Sequence, residues 1–427
     1  MNIQNIHDLF IKCSTISIDT RKIEPNSFFV AVKGEKFDAN TFAKEALEKG
    51  ALYVVIDNAA YFIDERTILV NDSLKTLQDL AKFHRQFLQL TIIALTGSNG
   101  KTTTKELINV VLSKKFKTKA TIGNLNNHIG VPLTLLSFNK ETQIGIVEMG
   151  ANHQKEIEFL CDIAQPDYGY ITNFGKAHLE GFGGVDGVIK GKSEMYTYLK
   201  ENDNAVFVNL DDDIQEEKTK HFHRITFSKK DKNVNLFIDA VTANPFVSIK
   251  ALDVVINSHL IGFYNANNIN AAIAIGNHFE VPTEAIKAAI ESYVPANNRS
   301  QLLTKGTNEI ILDAYNANPS SMLVALENFV ELEKANKCVI IGDMYELGEE
   351  SSSEHKGIID YLDLNAEFEC HFVGKEFYAN TIQKANFHFY PTFDDLANYL
   401  SFTKLEHKTL LIKGSRGMAL ERTLELL

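Results

Sequence analysis

Between residues 86 and 298, short apolar stretches alternate with segments of helical periodicity. The stretches that predict strands are 91–96, 144–148, 168–173 and 205–210. This alternation predicts a mainly parallel sheet that helices cover on both faces. Residues 233–260 are more uniformly β-like and predict an antiparallel extension of that sheet.

The first 85 residues show a shorter version of the same pattern. Their β-like stretches are 27–32, 53–56 and 68–70. A helical pattern over 41–50, which ends at Gly50, lies between the first two. This region predicts a small α/β unit.

A second alternating region covers residues 299–427, beyond a polar hinge predicted at 295–301. Its predicted strands are 309–314, 338–343, 370–374 and 409–415. The region contains no GxGxxG motif, so its Rossmann-like rhythm does not indicate a dinucleotide.

Composition narrows the possible partners. The chain has 427 residues, of which 44% are hydrophobic and 23% are charged, and its net charge is −12. Without a basic block, nucleic acid is not an expected partner. No apolar run approaches the roughly 18 residues of a membrane span, and the N-terminus lacks the features of a signal peptide. These features predict a cytoplasmic protein.

The four cysteines, Cys13, Cys161, Cys338 and Cys370, lie far apart and form no CxxC pair. Their spacing suggests neither a zinc site nor a redox pair. We expect buried free thiols in a reducing compartment.

The clearest chemical motif is the glycine turn GSNGKTT at 97–103, between the strand 91–96 and a helix predicted at 107–116. Its backbone N–H groups predict a phosphate cradle, with Lys101 reaching the β- and γ-phosphates and Thr102 contacting Mg²⁺. The alternative is a Gly-Asn turn with a solvated lysine, which the flanking strand and helix disfavour. Leu95 stands where an ordinary P-loop has its first glycine.

Three further residues leave alternatives open on sequence alone. Glu148 ends a predicted strand and is either a Mg²⁺ ligand or the cap of a helix near 153. His178 lies in a glycine-rich loop and is either a site residue or a structural histidine, since imidazole is not the preferred ligand of Mg²⁺. Lys192 alone predicts a surface lysine at the start of a helix.

Six motifs spread along the chain carry a resemblance to the Mur ligase family, ATP-dependent enzymes that build the peptide stem of peptidoglycan. They are 124–136, 148–157, 172–183, 313–322, 339–349 and 413–421. Together they are most similar to the branch that joins D-alanyl-D-alanine to UDP-N-acetylmuramoyl-tripeptide. The family's short loop also lacks the first P-loop glycine. The resemblance implies ATP and Mg²⁺ as cofactors, an acyl-phosphate intermediate, and a cytoplasmic enzyme that is a monomer.

The expected fold is therefore α/β with three domains. A small α/β N-terminal domain that binds the UDP-sugar spans 1–85. A central parallel-sheet, P-loop ATPase-like domain that binds ATP spans 86–298, and a C-terminal Rossmann-like ligase domain spans 299–427.

The resemblance also assigns roles at matching positions. Lys101, Glu148, His178 and Lys192 are the implied catalytic residues, with Thr102, Glu148, His178 and Lys192 around the metal and Lys192 carried as a carbamate. The residues implied to contact ATP are Gly97, Asn99, Gly100, Lys101, Thr102, Thr103, Asn268 (at adenine), Arg299, Asp313, Tyr315, Asn316 and Asn318.

Substrate contacts are implied at three places. The family's UDP-sugar segment resembles residues 17–40, although a solvated charged loop is the alternative there. The implied substrate residues are Thr20, Arg21, Lys33, Gly34, Asp38, Asn40, Asn126, Asn127, Lys413 and Arg416. Without the resemblance, residues 313–319 predict only an Asn-Pro turn, and Lys413 and Arg416 only a helix cap. Tyr264 and His128 depart from the family, which usually has histidine at the first position and an acidic residue at the second.

Other functions remain as alternatives. One is another amide ligase of the superfamily, either the enzyme that adds the third stem residue or a folylpolyglutamate synthetase. The segment 316–322 and the lack of a DNPR-like stretch disfavour the first, and the extended N-terminal region disfavours the second. A nucleotide-binding module without catalysis is the alternative from a different class, and a motor NTPase is disfavoured by the missing glycine.

Overall fold

The computed structural model describes residues 1–34, 36–296 and 298–427, and it divides them among three main sheets. The gap at Glu35 falls within the predicted UDP-sugar segment, and the gap at Asn297 falls within the predicted hinge.

The N-terminal region is a four-stranded parallel sheet with helices packed on it. Its elements are α1 (Ile3–Phe10), β1 (Ile16–Ser17), β2 (Phe28–Val30), β3 (Lys33–Gly34), β4 (Phe37–Asp38), α2 (Ala43–Glu48), β5 (Tyr53–Ile56), β6 (Thr67–Leu69) and α3 (Ser73–Leu88). The sheet order is β1-β2-β5-β6, and β3 and β4 pair separately as an antiparallel ladder. Asp72 caps α3 by accepting a hydrogen bond from the Lys75 N–H at 2.8 Å.

The central region holds a nine-stranded sheet in the order β15-β14-β13-β12-β11-β10-β7-β9-β8. Its strands are β7 (Thr91–Thr96), β8 (Thr118–Ala120), β9 (Ile144–Glu148), β10 (Tyr168–Ile171), β11 (Ala205–Asn209), β12 (Arg224–Ser228), β13 (Leu236–Ala243), β14 (Phe246–Ala251) and β15 (Val254–Ile261). Its helices are α4 (Lys101–Leu112), α5 (Gly130–Leu136), α6 (Glu156–Ala164), α7 (Leu179–Phe182), α8 (Val185–Glu201), α9 (Asp213–Thr219), α10 (Tyr264–His278) and α11 (Thr283–Ser292).

The strands from β8 to β13 pair in parallel, and β13, β14 and β15 pair antiparallel. Almost every residue of β7 and β9 is buried, as expected for strands covered on both faces. The predicted antiparallel extension is therefore confirmed.

The C-terminal region is a six-stranded sheet in the order β16-β17-β21-β18-β19-β20, in which only β16 runs antiparallel among the described strands. Its strands are β16 (Gln301–Lys305), β17 (Asn308–Asp313), β18 (Lys337–Gly342), β19 (Glu369–Val373), β20 (Phe387–Tyr390) and β21 (Thr409–Lys413). Its helices are α12 (Pro319–Glu331), α13 (Ser351–Asn365), α14 (Lys375–Ala379) and α15 (Phe393–Phe402).

The predicted α/β fold class is confirmed, and two local predictions were wrong. The helix predicted at 107–116 begins at Lys101 and ends at Leu112, because its polar first turn is buried: Thr104 Oγ1 donates a hydrogen bond to Asn268 Oδ1 of α10 at 3.0 Å. Strands such as β12 and β20 escaped prediction because they are short and mix apolar with charged or polar residues. None of the described helices is both long enough and apolar enough to span a membrane.

Candidate active site

A cavity of about 860 Å³ lies at the carboxyl ends of β7, β9 and β10, and residues of the C-terminal region close one side of it. Ligands of parallel α/β sheets bind at this edge because the strand ends converge there. The predicted site residues that line the cavity are Asn99, Gly100, Lys101, Thr102, Thr103, Asn126, Asn127, Glu148, His178, Asn268, Arg299, Asp313, Tyr315, Asn316, Asn318 and Lys413.

The glycine loop after β7 depends on two residues without side chains. Gly97 has φ +141°, and a Cβ there would lie 2.0 Å from Thr172 Oγ1. Gly100 has φ +80° and stands immediately before α4, and a Cβ there would lie 2.4 Å from Asn268 Oδ1. The loop therefore packs against β10 and α10 as closely as the backbone permits, and its N–H groups lead into the positive end of α4.

Asn99, between these glycines, is held from two directions. Its N–H donates to Asn173 Oδ1 at 3.0 Å, and its carbonyl accepts from Thr172 Oγ1 at 2.6 Å. Its side-chain Oδ1 accepts from Asn318 Nδ2 of the C-terminal region at 2.7 Å. The last contact joins the loop directly to the opposite wall of the cavity.

Lys101 begins α4 and folds back over the loop. Its Nζ donates to Gly97 O at 2.7 Å and to Ser98 O at 3.3 Å. Burial lowers the pKa of Lys101, Glu148 opposes this shift, and Arg299 adds to it. An anionic ligand in the cavity would therefore replace the hydrogen bonds from the ammonium group to these two carbonyls with a stronger charged contact.

Glu148 ends β9 and is 2% exposed. Its Oε1 accepts a hydrogen bond from Asn126 Nδ2 at 2.9 Å, whereas its Oε2 has no hydrogen-bond partner and lies 3.8 Å from Lys105 Nζ. A buried carboxylate oxygen without a hydrogen-bond donor is costly, and the Lys105 ammonium group at 3.8 Å offsets only part of that cost. The residues here therefore fit a divalent cation, and the helix cap proposed as the alternative is not observed, because α6 starts at Glu156.

His178 lies in the loop after β10, with φ +54°, and also lines the cavity. Its Nδ1 is paired with Glu346 Oε2 of the C-terminal region. This pairing lowers the pKa of Glu346, because the histidine hydrogen bond and charge favour the carboxylate. A role of His178 toward a metal stays a prediction.

Lys192 is not the surface lysine at a helix start that its sequence alone predicts. It lies inside α8 and is 1% exposed, and its Nζ donates to Ala151 O at 3.2 Å. The Phe182 ring lies 5.1 Å from Nζ. Burial lowers the pKa of Lys192 far below its ordinary value, and the charge of Lys101 lowers it further. The periodicity of α8 could have revealed this burial, since residues 188, 191, 192, 195 and 199 all face the core.

Asn268 stands on α10 behind the loop rather than free in the cavity. Its Oδ1 accepts from Thr104, and its Nδ2 donates to Asn265 Oδ1 at 2.8 Å. The side chain thus supports the loop in the structure, and a contact with adenine stays a prediction. Tyr264, at one of the two departures from the family pattern, shares a 2.7 Å hydrogen bond with Ser300 Oγ at the cavity wall.

The C-terminal wall contains a cation–π contact and a buried ion pair. The Arg299 guanidinium lies 3.7 Å from the centre of the Tyr315 ring. Lys413 is 2% exposed, and its Nζ contacts Asp313 Oδ2 at 2.5 Å and Asn316 O at 3.3 Å. Lys413, which was predicted to contact the substrate, is therefore already paired with Asp313 in the cavity wall.

Some predicted residues lie outside this cavity. Arg416 is on the surface and is paired with Glu421 at 2.7 Å. Gly97 lies behind the lining residues, and Lys192 reaches the wall only through Ala151. The N-terminal candidates that do not line the cavity are Thr20, Arg21, Lys33, Gly34, Asp38 and Asn40. Within that group Arg21 pairs with Asp19 at 2.8 Å, and Lys33 pairs with Asp57 at 2.7 Å.

Sequence reasoning missed several residues of the site. Lys105 is 3% exposed beside Glu148, and its position one helical turn after Lys101 was a usable signal. Asn173 positions the loop, whereas Asp212, Ser300 and Ser320 reach the cavity from separate segments. Ser320 falls within the motif 313–322 and Ser300 within the predicted hinge, whereas no motif marks Asp212, which the tertiary fold alone brings to the cavity.

Comparison with known proteins agrees with this arrangement. Residues 12–85 match the Mur ligase family, catalytic domain, residues 95–276 match the Mur ligase middle domain, and residues 298–416 match the Mur ligase, glutamate ligase domain.

Two relatives that match over almost their whole length carry the same name. The UDP-N-acetylmuramoyl-tripeptide–D-alanyl-D-alanine ligase of Buchnera aphidicola subsp. Baizongia pistaciae is 34% identical, over 99% of this chain and 94% of that relative. The ligase of the same name from Bacillus subtilis is 33% identical, over 95% and 91%.

Solved structures of the same name have a similar fold. MurF from Acinetobacter baumannii superposes with a TM-score of 0.86 at 29% identity, covering 99% of this chain and 97% of that one. MurF ligase from Thermotoga maritima in complex with ADP superposes with a TM-score of 0.84 at 26% identity, covering 98% and 97%. The identity and coverage of these relatives, together with the three family matches, establish that this chain belongs to the Mur ligase family.

Proposed function

We propose that this chain joins D-alanyl-D-alanine to UDP-N-acetylmuramoyl-tripeptide, with ATP converted to ADP and phosphate, in cytoplasmic peptidoglycan precursor synthesis. The observation that carries the proposal is the single cavity in which the glycine loop and Glu148 of the central region face Arg299, Asp313 and Asn318 of the C-terminal region. The near full-length match to relatives of this name supports the choice of substrates.

The glycine loop binds the phosphates of ATP. The backbone N–H groups before α4 and the ammonium group of Lys101 face the cavity and carry the positive charge that a triphosphate requires. Across the cavity, Arg299 and Tyr315 border the nucleotide, while Asn318 holds Asn99 in place. This arrangement fixes the γ-phosphate between the two regions.

Glu148, Thr102 and His178 would hold Mg²⁺, since the unpartnered Oε2 of Glu148 fits a cation. When bound, Mg²⁺ would screen the repulsion between the phosphates and the substrate carboxylate. His178 would have to exchange its present contact with Glu346 for that role.

Lys192 would contribute as a carbamate. Burial lowers the pKa of Lys192 and so favours the uncharged amine, whose lone pair can attack carbon dioxide. An N–C bond forms as one C=O π bond of carbon dioxide opens, the nitrogen loses one proton to water, and the amine becomes a carboxylate-like group beside Ala151. Such a group would offer oxygen ligands on the Glu148 side of the cavity.

The reaction then proceeds in two steps. A carboxylate oxygen of the tripeptide attacks the γ-phosphorus, the bond to the β-phosphate oxygen breaks, and ADP departs from an acyl phosphate. The uncharged amine of D-alanyl-D-alanine attacks the acyl carbon, the carbon–oxygen bond breaks, phosphate leaves, and the amine proton passes to solvent. Lys101 and Arg299 stabilise the negative charge that develops in both steps.

The UDP-sugar is assigned to the N-terminal region. Thr20, Arg21, Lys33 and Asn40 would contact it, with Gly34 and Asp38 beside them. The present pairing of Arg21 with Asp19 and of Lys33 with Asp57 is exposed at the basic partner, so a diphosphate can compete for it at little cost. The protein is proposed to act as a monomer.

The test is ATP-dependent phosphate release with Mg²⁺, UDP-N-acetylmuramoyl-tripeptide and D-alanyl-D-alanine, omitting one component at a time. The proposal expects release only with both co-substrates, and a product with the mass of the joined peptide. Release with the dipeptide precursor and a free amino acid, or with a folate and glutamate, would instead support one of the other amide ligases. ATP binding without release in any combination would support a module that has lost catalysis.

A further inference from the structure

The C-terminal sheet brings together metal-ligating side chains at the end opposite the cavity. Cys338 is the second residue of β18, Glu369 and His371 are the first and third of β19, and His388 is the second of β20. The register pairs Cys338 with Glu369 and His371 with His388, so all four project from the same face. Cys338, Glu369 and His388 lie near the amino ends of these strands, whereas the active-site cavity lies at the carboxyl ends of β17 and β21 in the same sheet, beside Asp313 and Lys413.

The distances suit one shared cation. A sulfur, a carboxylate oxygen and a ring nitrogen from Cys338, Glu369 and His371 all lie within 4.8 Å of one another. Glu369 Oε1 is 3.1 Å from His371 Nε2 and 3.7 Å from His388 Nε2. Ligand atoms of a tetrahedral zinc site are about 3.4 Å apart, given bond lengths of about 2.1 Å. Small side-chain rotations would therefore bring these donor atoms to the distances that one ion requires.

The ligand atoms of the cluster face one another. His371 is fully buried, and its Nε2 lies 3.1 Å from Glu369 Oε1. Its Nδ1 lies 3.1 Å from Tyr390 OH, an oxygen that can accept the Nδ1–H once a cation takes the place of the proton between Nε2 and Glu369. Lys408 contacts the other carboxylate oxygen, Glu369 Oε2, at 3.1 Å and so leaves Oε1 facing the histidines.

We propose that Cys338, Glu369, His371 and His388 form a site for a borderline divalent cation of the zinc class. A thiolate, a carboxylate and two imidazoles are the donors that Zn²⁺ prefers, whereas Mg²⁺ prefers oxygen alone. Entry is open from the surface, because the side chains of Glu369 and His388 are 22% and 33% exposed. The cysteine spacing gave no sign of the site, because its donors come from three different strands.

The consequence is structural. A bound ion ties β18, β19 and the edge strand β20 together, far from the reacting groups. Because it binds the folded chain through donors that unfolding separates, it raises the thermal midpoint without entering the reaction.

Co²⁺ is the probe that distinguishes this site from the active site. The reduced full-length protein is titrated with Co²⁺ in excess Mg²⁺, and we expect a cysteine-thiolate charge-transfer band in the near ultraviolet that Zn²⁺ then abolishes. Zn²⁺ should also raise the thermal midpoint by several degrees. The band and the shift should vanish in Cys338→Ser and weaken at least tenfold in affinity in His388→Gln, whose partly exposed position spares the fold.

Cys161→Ser is the matched control, because Cys161 is equally buried but lies in the central region. It should keep both signals. The proposal is overturned if the wild-type protein shows no thiolate band, or if the band survives in Cys338→Ser.

Discussion

Lys192 is predicted from sequence alone to be a surface lysine, but in the structure it is buried. In the sequence it is one of two lysines on either side of Gly191, but in the structure it alone of these two is inside the core. A buried ammonium without a carboxylate partner would be unstable, so the site requires either an uncharged amine or a modified one.

Replacing Lys192 should separate these two states. Lys192→Ala is expected to reduce phosphate release by about 10–100-fold, the usual effect of losing support around a metal. Acetate or formate should restore part of the rate by supplying the missing carboxylate. The rate with and without added acid is the measurement.

Lys190→Ala is the control, because Lys190 is exposed on the same helix. It should keep the full rate and should not respond to acetate. Full activity of Lys192→Ala without any added acid would contradict the carbamate.

At the scale of elements, α1 and α3 are joined by two uncharged histidines. His84 Nε2 donates to Phe138 O at 3.0 Å, so its Nδ1 is the acceptor of the 2.9 Å hydrogen bond from His7 Nε2. Burial, and secondarily the charge of His84, lower the pKa of His7 from 6.5 to about 4. The folded chain therefore resists protonation that the unfolded chain accepts.

This pair predicts a loss of stability in acid. Between pH 6.5 and about 4 the unfolded state binds more protons than the folded state, so the free energy of unfolding falls as the pH is lowered through that range. His7→Gln keeps a donor toward His84 but does not titrate, and should flatten the dependence of the thermal midpoint on pH. His407→Gln, at an exposed position, should retain the wild-type slope. An unchanged slope in His7→Gln would refute the assignment.

Elements with continuous apolar patterns were predictable from sequence, and mixed ones were not. Almost every residue of β7 and β9 is buried, so the run of apolar residues alone predicted these strands. The start of α4 could not be predicted, since Thr102 to Lys105 are polar and are buried only because α10, Glu148 and the loop surround them. Glu148 and the loop could be recognised as local motifs, whereas Ser300 and Asp212 reach the cavity through long-range folding alone.

At the scale of the whole molecule, the cavity exists only where the central and C-terminal regions meet. Asn99 contacts Asn318, the Lys176 N–H donates to Ser320 Oγ at 2.8 Å, and His178 contacts Glu346. Each contact pairs a residue in or beside the glycine loop with one on the opposite wall. Such contacts suit a site that must position ATP and acceptor together and then release products.

Asn318 tests this junction without disturbing its own helix. Its Oδ1 caps α12 by accepting from the Ser321 N–H at 2.9 Å, while its Nδ2 reaches Asn99. Asn318→Ser keeps a good helix cap, so the thermal midpoint should hardly change. The shorter serine side chain no longer reaches Asn99. The rate should fall by about fivefold, the equivalent of one hydrogen bond of about 1 kcal/mol. A normal rate, or a fall matched by a lower midpoint, would show that the contact does not position the loop.

The most direct test of the central claim follows the oxygen atoms. UDP-N-acetylmuramoyl-tripeptide labelled with oxygen-18 in its terminal carboxylate is incubated with ATP, Mg²⁺ and D-alanyl-D-alanine, and the phosphate is analysed by mass. Ligation through an acyl phosphate predicts one labelled oxygen in each phosphate released, together with a product of the joined mass. Unlabelled phosphate would mean that water, not the carboxylate, attacks ATP, and would contradict the account.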